Sequence, residues 1–247
     1  MDRVRIVEKV QTARHRVERL RYRGDEVQCT CCGSSFRRFR DQGPPNRFCW
    51  VCNAGERHRT LALFFAARPE LLTAGMRLLH VAPERAIRSV ILRQQPGINY
   101  ESGDIDRRYG PLRIDITASD FADATFAAVV ANHVMEHVVE DRAAMAEVFR
   151  ILKPGGWAIL MIPAILAEVT DEDSTVTSPS DRLERWGQSD HVRRYGWDYL
   201  DRLTAAGFDI EVYRSEEHVS AADIERYRLR DPSGGIDPVF LVRKPIS

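Results

Sequence analysis

The chain has 247 residues, 44% of them hydrophobic and 29% charged, and its 36 basic and 36 acidic side chains cancel. This length and composition fit a globular protein with one large domain, or one domain and a small module. The longest apolar runs, such as 157–162, are too short to cross a bilayer. Residues 1–23 are charged throughout and lack the apolar core of a signal peptide. We therefore expect a cytoplasmic protein without a membrane partner.

Basic residues are concentrated near the N-terminus. Residues 1–60 carry 14 Lys and Arg against 7 Asp and Glu, and residues 2–22 have Val and Leu at helical spacing. The spacing predicts an amphipathic, arginine-rich helix. A basic segment can face nucleic acid or an acidic substrate, or simply form a solvated surface. Because basic and aromatic residues are not interleaved, we favour the solvated surface and keep nucleic acid as an alternative.

All five cysteines lie in one short segment. Cys29 and Cys32 form one Cys-x-x-Cys pair, and Cys49 and Cys52 form another, with 16 residues between the two pairs. Two such pairs can present four thiolates to one ion, and tetrahedral sulfur coordination suits zinc. Four sulfur ligands leave no open position, so we expect a structural zinc that the small module needs for folding. Cys31 is poorly spaced for a ligand, and buried free cysteines or a redox pair are the alternative.

After a predicted helix at 57–67, apolar runs and helical patterns alternate along the chain from residue 76 onward. Such alternation predicts an α/β domain, 57–247, with a doubly wound and mostly parallel sheet. Residues 1–56 would form the helix and four-cysteine module, and the polar stretch 163–195 would be an irregular insertion covering the substrate. The predicted strands are 76–82, 97–102, 112–116, 126–131, 157–162, 208–213 and 238–242, and the predicted helices are 57–67, 83–94 (with Pro83 in its first turn), 141–152 and 197–206.

Open parallel sheets bind ligands at the carboxyl ends of their strands. The residues that follow each predicted strand are therefore the candidates for a ligand site. They are 80–84, Asp104, Asp115, 132–137 and the residues from 163 onward.

Three stretches of the domain carry a family resemblance: Asp115-Ile-Thr, then Phe126-Ala-Ala-Val-Val-Ala-Asn-His-Val-Met-Glu-His, then Leu152-Lys-Pro-Gly-Gly-Trp. In combination they resemble the middle of class I S-adenosylmethionine-dependent methyltransferases of the type 11 kind. The whole chain is also similar to a bacterial group of such enzymes with an N-terminal four-cysteine module, through Glu56-Arg-His-Arg, Leu79-His-Val-Ala-Pro-Glu and Trp186-Gly-Gln-Ser-Asp-His-Val-Arg-Arg-Tyr-Gly. The resemblance implies a Rossmann-like methyltransferase domain, a zinc-ribbon-like module, and S-adenosylmethionine as cofactor.

The same resemblance implies cofactor contacts after the second and third strands of the domain. Asp104, followed by Ile105, would accept hydrogen bonds from the ribose hydroxyls, as an acidic residue does in dinucleotide folds. Asp115 would hold the adenine amino group, and Ile116 would pack on the adenine ring. Asp is also common as a loop cap, which is the alternative role for both carboxylates.

The first loop of the domain departs from the family pattern. Where a glycine-rich turn is usual, this chain has His80-Val-Ala-Pro-Glu84 without any glycine. In this loop His80, Ala82 and Glu84 would contact the cofactor, His80 through a ring hydrogen bond and Glu84 through the ammonium group. Glu84 would also suit a helix N-terminus without any such function. Asn132 and His133, after the fourth strand, would lie beside the methionine part of the cofactor.

Methyl transfer needs an aligned nucleophile and often a base to take its proton. Histidine suits this role because its pKa lies near neutrality. The histidine candidates are His133, His137 and His191, of which His137, near a helix start, is equally a structural partner. The catalytic assignment is His133 and His191, with Tyr195 as a further candidate. The alternative for the region around His191 is a surface loop in which Asp190 pairs with Arg193.

Two substrate chemistries lack their sequence signatures. An Asn-Pro-Pro-aromatic motif, which serves exocyclic amino groups of nucleobases, is absent, and no cysteine follows Cys52 to act as a nucleophile. We therefore predict an oxygen or nitrogen acceptor on a small molecule or sugar. The alternatives are an RNA methyltransferase whose zinc module grips RNA, a degenerate interaction protein, and an enzyme that uses the cofactor for another reaction such as cyclisation.

Overall fold

The structure is a computed structural model that describes residues 20–246. The predicted helix 2–22 lies, apart from its last three residues, outside the described residues. In chain order the strands are β1 (Arg23–Gln28), β2 (Ser35–Phe36), β3 (Arg77–Val81), β4 (Asn99–Asp104), β5 (Leu112–Arg113), β6 (Phe126–Asn132), β7 (Leu152–Met161), β8 (Asp171–Glu172), β9 (Arg193–Arg194), β10 (Asp209–Tyr213) and β11 (Val239–Arg243). The α-helices are α1 (Glu56–Ala67), α2 (Arg85–Gln94), α3 (Asp141–Ile151), α4 (Pro179–Trp186), α5 (Tyr199–Ala205) and α6 (Ala221–Tyr227).

The chain divides into two compact units, each built from separate segments. The cysteine unit comprises the described residues up to Ala67 together with Arg85–Val90 and Ser215–Ile236. The sheet unit comprises Arg68–Glu84, Ile91–Arg214 and the residues from Asp237 onward.

The sheet unit contains a seven-stranded sheet with the order β10-β11-β7-β6-β3-β4-β5. The five strands from β7 to β5 are mutually parallel, and β11 runs antiparallel to both β7 and β10. This confirms the predicted mostly parallel α/β sheet. β3 lies between β4 and β6, so the strand order reverses beside it, and a ligand crevice forms at such a switch point. β6 is buried along nearly its whole length, as its continuous apolar run predicts.

Several element boundaries differ from the sequence predictions. β7 begins at Leu152 and runs through the Pro-Gly-Gly turn signal, whereas the predicted strand begins at residue 157. Glu84 is the residue before α2, so the prediction that Pro83 lies in the first helical turn is wrong. β5 has only two residues instead of the predicted five. Local turn signals mislead here because pairing with neighbouring strands decides where a strand starts and stops.

The prediction that residues 163–195 are irregular is wrong. They contain α4 and two short strands, β8 and β9, which pair antiparallel. Ser178 accepts a hydrogen bond from the amide of Asp181 at the start of α4, Pro179 occupies its first turn, and Gly187 ends it in the left-handed conformation. These three residues are ordinary helix start and stop signals.

Within the part of the chain that the structure describes, no helix is both long and apolar enough to span a bilayer.

Candidate functional site

A cavity of about 720 Å³ opens at the carboxyl ends of the parallel strands. Its walls come from the residues that end or follow β3, β4, β5 and β6, where the sheet topology predicts a ligand site. Of the candidate cofactor residues, His80, Glu84 and Asn132 are absent from its lining. Those that line it are Ala82, Asp104, Ile105, Asp115, Ile116 and His133.

Asp104 and Asp115 each have one carboxylate oxygen committed to a loop. Oδ1 of Asp104 accepts from the amide of Asp106 at 2.8 Å. Oδ1 of Asp115 accepts from the amide and the hydroxyl of Thr117 at 2.9 and 2.6 Å. The hydroxyl bond, followed by the amide bond, lowers the pKa of Asp115 below its usual value. In neither carboxylate does Oδ2 carry a hydrogen bond within residues 20–246, so both groups cap a loop and keep an acceptor for a ligand.

Two residues that line the cavity have strained backbones. Ala82 and His133 have φ angles of +49° and +54°, in the left-handed region that favours glycine. They directly follow β3 and β6, which are neighbours in the sheet. Their amides donate to the carbonyls of Gly103 and Met161, at 2.9 and 2.8 Å, which holds each turn in place. Ala82 thus adopts, without a glycine, the kind of turn that lets backbone approach a ligand, and such strain clusters at functional sites.

His80, Glu84 and Asn132 form a hydrogen-bonded network of their own. The His80 ring is fully buried, with Nδ1 2.8 Å from the hydroxyl of Tyr100 and Nε2 3.1 Å from Oε2 of Glu84. The side-chain amide of Asn132 donates to Oε1 of Glu84 at 2.6 Å. Both ring nitrogens of His80 are therefore engaged inside the protein, and its contribution is to hold the loop after β3.

His133 and His191 belong to a cluster of imidazoles and carboxylates. His133 Nε2 lies 2.9 Å from Asp237 Oδ2, and its Nδ1 lies 3.3 Å from Glu136 Oε1. His191 is 5% exposed and does not line the cavity. Burial, followed by the neighbouring His137, lowers the pKa of His191 to about 4, so the ring is neutral at physiological pH.

The predicted alternative of an Asp190–Arg193 pair is wrong. Asp190 instead lies 3.4 Å from His137 Nδ1, while Arg193 pairs with Glu172 at 2.9 Å. The reason is that β9 turns the Arg193 side chain into the protein, where it is 5% exposed.

Tyr195 is a core residue and does not line the cavity. It is 4% exposed, and its hydroxyl donates to Oδ2 of Asp141 at 2.7 Å. Arg202 donates to the same carboxylate oxygen at 2.8 Å. Burial raises the pKa of Tyr195 well above its usual value. The geometry assigns this tyrosine to the buried network that anchors residues 193–202.

The sequence reasoning missed Glu136 and Asp237. Glu136 had a local signal, because it stands beside His137 and three residues after His133. Asp237 had none: it lies 104 residues from His133 along the chain, and only the fold brings the two together. Its Oδ1 accepts from the amide of Ala164 at 2.8 Å, which fixes the carboxylate under the imidazole.

In the cysteine unit, the four predicted ligand sulfurs converge. The Cys29 and Cys52 sulfurs are 3.5 Å apart, and those of Cys32 and Cys49 are 3.6 Å apart. All four lie within 4.8 Å of one another. Sulfurs bound to one tetrahedral zinc at 2.3 Å would be about 3.8 Å apart, so the arrangement fits that ion. The fifth thiol, Cys31, instead donates to the carbonyl of His58 at 3.2 Å.

The two Cys-x-x-Cys turns have the same backbone design. The amide of Cys29 donates to Ser34 and its carbonyl accepts from Gly33, at 3.0 and 2.8 Å. The amide of Cys49 donates to Ala54, and its carbonyl accepts from Asn53, both at 3.0 Å. Gly33 and Asn53 occupy the same position, with φ angles of +73° and +60°. Both residue types tolerate this conformation, so each turn can place two thiolates side by side.

Comparison with known proteins gives a partial family match. Residues 94–160 match the methyltransferase domain family. The demethylmenaquinone methyltransferase of Paenarthrobacter aurescens (strain TC1) is 23% identical over 164 residues. That alignment covers 55% of this chain and 60% of the relative, so the chain spans about three fifths of that protein's length.

Solved structures show the same fold at low sequence identity. The YcgJ protein of Bacillus subtilis matches with a TM-score of 0.53 and 13% identity, over 77% of this chain and 99% of that one. The [4+2]-cyclase SpnF matches with a TM-score of 0.52 and 18% identity, over 85% and 87%. Together with the matched domain and the mostly parallel sheet, these likenesses confirm the Rossmann-like class I methyltransferase fold.

Proposed function

We propose that the protein is an S-adenosylmethionine-dependent methyltransferase that acts on an oxygen or nitrogen of a small-molecule acceptor. The observation that carries this proposal is the pairing of Asp104 and Asp115 in one cavity, each with an acceptor oxygen left for a ligand. Ribose hydroxyls and an adenine amino group are donors that such oxygens would accept from. The matched methyltransferase domain spans both residues.

The remaining residues of the cavity suit the same cofactor. Ile105 and Ile116 add apolar surface beside the carboxylates, as an adenine ring requires. The left-handed turn at Ala82 keeps backbone close to the cavity despite the missing glycines. When bound, S-adenosylmethionine would supply an electrophilic methyl group. His133 lines the cavity, with Nε2 2.9 Å from Oδ2 of Asp237, and it would take the proton that the acceptor loses.

A small-molecule acceptor is supported by the rim of the cavity. Ile105, Tyr109 and Val139 line it and are 55%, 67% and 64% exposed. Exposed apolar side chains around one opening favour a partner with apolar surface. The relative from Paenarthrobacter aurescens, a demethylmenaquinone methyltransferase, also acts on a small molecule.

For the cysteine unit we propose a structural zinc ion held by Cys29, Cys32, Cys49 and Cys52. The spacing of the sulfurs and the two matched turns support this role. A site closed by four thiolates would stabilise the unit and leave methyl transfer to the sheet unit.

Calorimetric titration with S-adenosylmethionine, and separately with S-adenosylhomocysteine, tests the proposed cofactor. We expect binding of both that weakens at least about tenfold in Asp104→Ala, because removing a charged hydrogen-bond partner costs about 1.5–3 kcal/mol. Asp209→Ala is the matched control, since Asp209 is an exposed carboxylate at the start of β10, away from the cavity lining. Absence of binding by the folded protein, or equal loss in both variants, would refute the proposal. Formation of S-adenosylhomocysteine with an acceptor then separates methyl transfer from a reaction that leaves the cofactor intact.

A further inference from the structure

The cluster beside the cavity contains a second group of metal-ligand atoms, separate from the cysteines. One donor atom from each of Glu136, His137 and His191 lies within 4.8 Å of the others. Glu136 is 1% and His191 5% exposed. A buried carboxylate facing imidazoles is costly to desolvate unless a cation or protons neutralise it.

His191 is prepared as a ligand by its own hydrogen bond. Its Nδ1 lies 3.2 Å from the carbonyl of Trp186, which can only accept, so Nδ1 carries the proton. Nε2 therefore carries the lone pair, and a backbone carbonyl on the other ring nitrogen is the usual support for a metal-bound histidine. Nε2 is buried and has no hydrogen-bond partner in the part of the chain that the structure describes. A buried acceptor without a partner destabilises the fold unless something binds it.

His133 lies beside Glu136 and is held by a second carboxylate. Its Nε2 lies 2.9 Å from Oδ2 of Asp237, whose other oxygen accepts from the amide of Ala164. Its Nδ1 lies 3.3 Å from Oε1 of Glu136, so His133 borders the group of ligand atoms.

Hydrogen bonds join the segment around His191 to the segment around Glu136. Arg193 donates to the carbonyls of Met135 and Val139 at 3.2 and 2.8 Å, and also to that of Val138. The amide of Val192 donates to the carbonyl of Glu136 at 2.9 Å. The residues next to His191 thus hold the backbone next to Glu136, which fixes the ligand positions before any ion binds.

We propose that Glu136, His137 and His191 bind one divalent metal ion, with His133 beside it. Two imidazole nitrogens and one carboxylate oxygen suit Zn²⁺, Mn²⁺ or Fe²⁺. Three protein ligands leave a coordination position open, and one of the three, His137, lines the cavity, so an acceptor in the cavity would be next to the ion. On the basis of the proposed function, the ion binds an oxygen of the acceptor, which narrows the acceptor to a hydroxyl compound. A bound ion would lower the pKa of such a hydroxyl, and His133, which lines the cavity, would accept its proton as in the proposed function.

Manganese distinguishes this site from the cysteines, because Mn²⁺ prefers carboxylate and imidazole ligands to thiolates. Protein that carries one zinc ion per chain, the number that the four cysteines bind, is titrated with Mn²⁺ while electron paramagnetic resonance measures the free ion. We expect one Mn²⁺ per chain, with affinity at least about tenfold lower in His191→Ala and Glu136→Gln. His218→Ala is the control, because His218 lies in the cysteine unit and its loss should leave the titration unchanged.

Glu136→Gln keeps the size of the side chain, so it remains informative if His191→Ala fails to fold. Absence of Mn²⁺ binding by the folded wild-type protein, or binding that is equal in Glu136→Gln, would overturn the metal site. S-adenosylmethionine binding is measured on the same samples. Mn²⁺ binding without cofactor binding would support the metal site and refute the methyltransferase, and the converse result would refute the metal site alone.

Discussion

At the scale of single residues, backbone strain marks the cavity. Ala82 has a φ of +49°, which costs a non-glycine residue about 1–2 kcal/mol. Ala82→Gly removes this strain, while the greater freedom of glycine in the unfolded chain offsets about 0.4–1 kcal/mol of the gain. We therefore expect Ala82→Gly to be neutral or to raise the unfolding free energy by up to about 1.6 kcal/mol, with cofactor binding retained. Thermal unfolding followed by circular dichroism measures the change.

A helical alanine supplies the comparison for that substitution. Ala143 is exposed in the first turns of α3, where glycine should lower the unfolding free energy by about 1 kcal/mol. If Ala82→Gly destabilises the protein as much as Ala143→Gly does, the left-handed turn after β3 is not strained.

A substitution at Tyr195 distinguishes a structural role from the catalytic role that its position after His191 predicts. Tyr195→Phe removes the donor that Asp141 receives inside the core, which should lower the unfolding free energy by about 1–3 kcal/mol. Turnover per folded molecule should stay the same, because Tyr195 does not line the cavity. Tyr109→Phe changes an exposed rim hydroxyl and should leave stability unchanged. A loss of turnover in Tyr195→Phe without a loss of stability would restore the catalytic assignment.

At the scale of elements, the two cysteine turns predict that four of the five thiols bind zinc and that Cys31 does not. Cys29→Ser removes one of the four converging sulfurs, and we expect stoichiometric zinc to be lost. Cys31→Ser keeps a donor for the carbonyl of His58, so zinc should be retained. Zinc per chain is measured by elemental analysis after gel filtration. Equal zinc content in both serine variants would show that the ion, if present, is held elsewhere.

The elements also show how far sequence patterns reach. The buried strands β3, β6 and β7 and the helix α3 were predictable because each contains a long apolar or periodic run. The pairs β8–β9 and β1–β2 carry no such run, and β2, β8 and β9 have only two residues each, so these strands depend on their partners. The residues of the site also divide into those that a sequence pattern predicts and those that it does not. Residues at strand ends, such as Asp104, were predictable from topology, whereas Asp237 reaches His133 only through the position of β11.

At the scale of the whole molecule, the cysteine unit is not a continuous N-terminal domain. The Arg59 side chain is 1% exposed and donates to the carbonyls of Arg47 and Ala54 at 2.9 and 2.8 Å. It also donates to Tyr227 and Arg228, at 2.6 and 2.7 Å, about 170 residues further along the chain. One guanidinium, packed on the ring of Phe39 at 4.5 Å, therefore joins the cysteine turns to the segment after α6. The complete unit therefore includes residues 215–236 as well as the cysteine turns.

Arg59→Met tests this dependence in the full-length chain. Methionine fills similar apolar space but leaves four carbonyls, one of them fully buried, without the guanidinium, so we expect a loss of at least about 2 kcal/mol in unfolding free energy. Because the carbonyl of Ala54 also accepts from the amide of Cys49, the second cysteine turn should loosen and release zinc faster to a chelator. Hydrogen exchange in residues 221–236 should accelerate together with zinc release. Arg226→Met, on the exposed side of α6, should change neither rate. Faster zinc release without faster exchange in 221–236 would mean that the turns and the C-terminal segment are stabilised independently, and that the cysteine unit is two structures and not one.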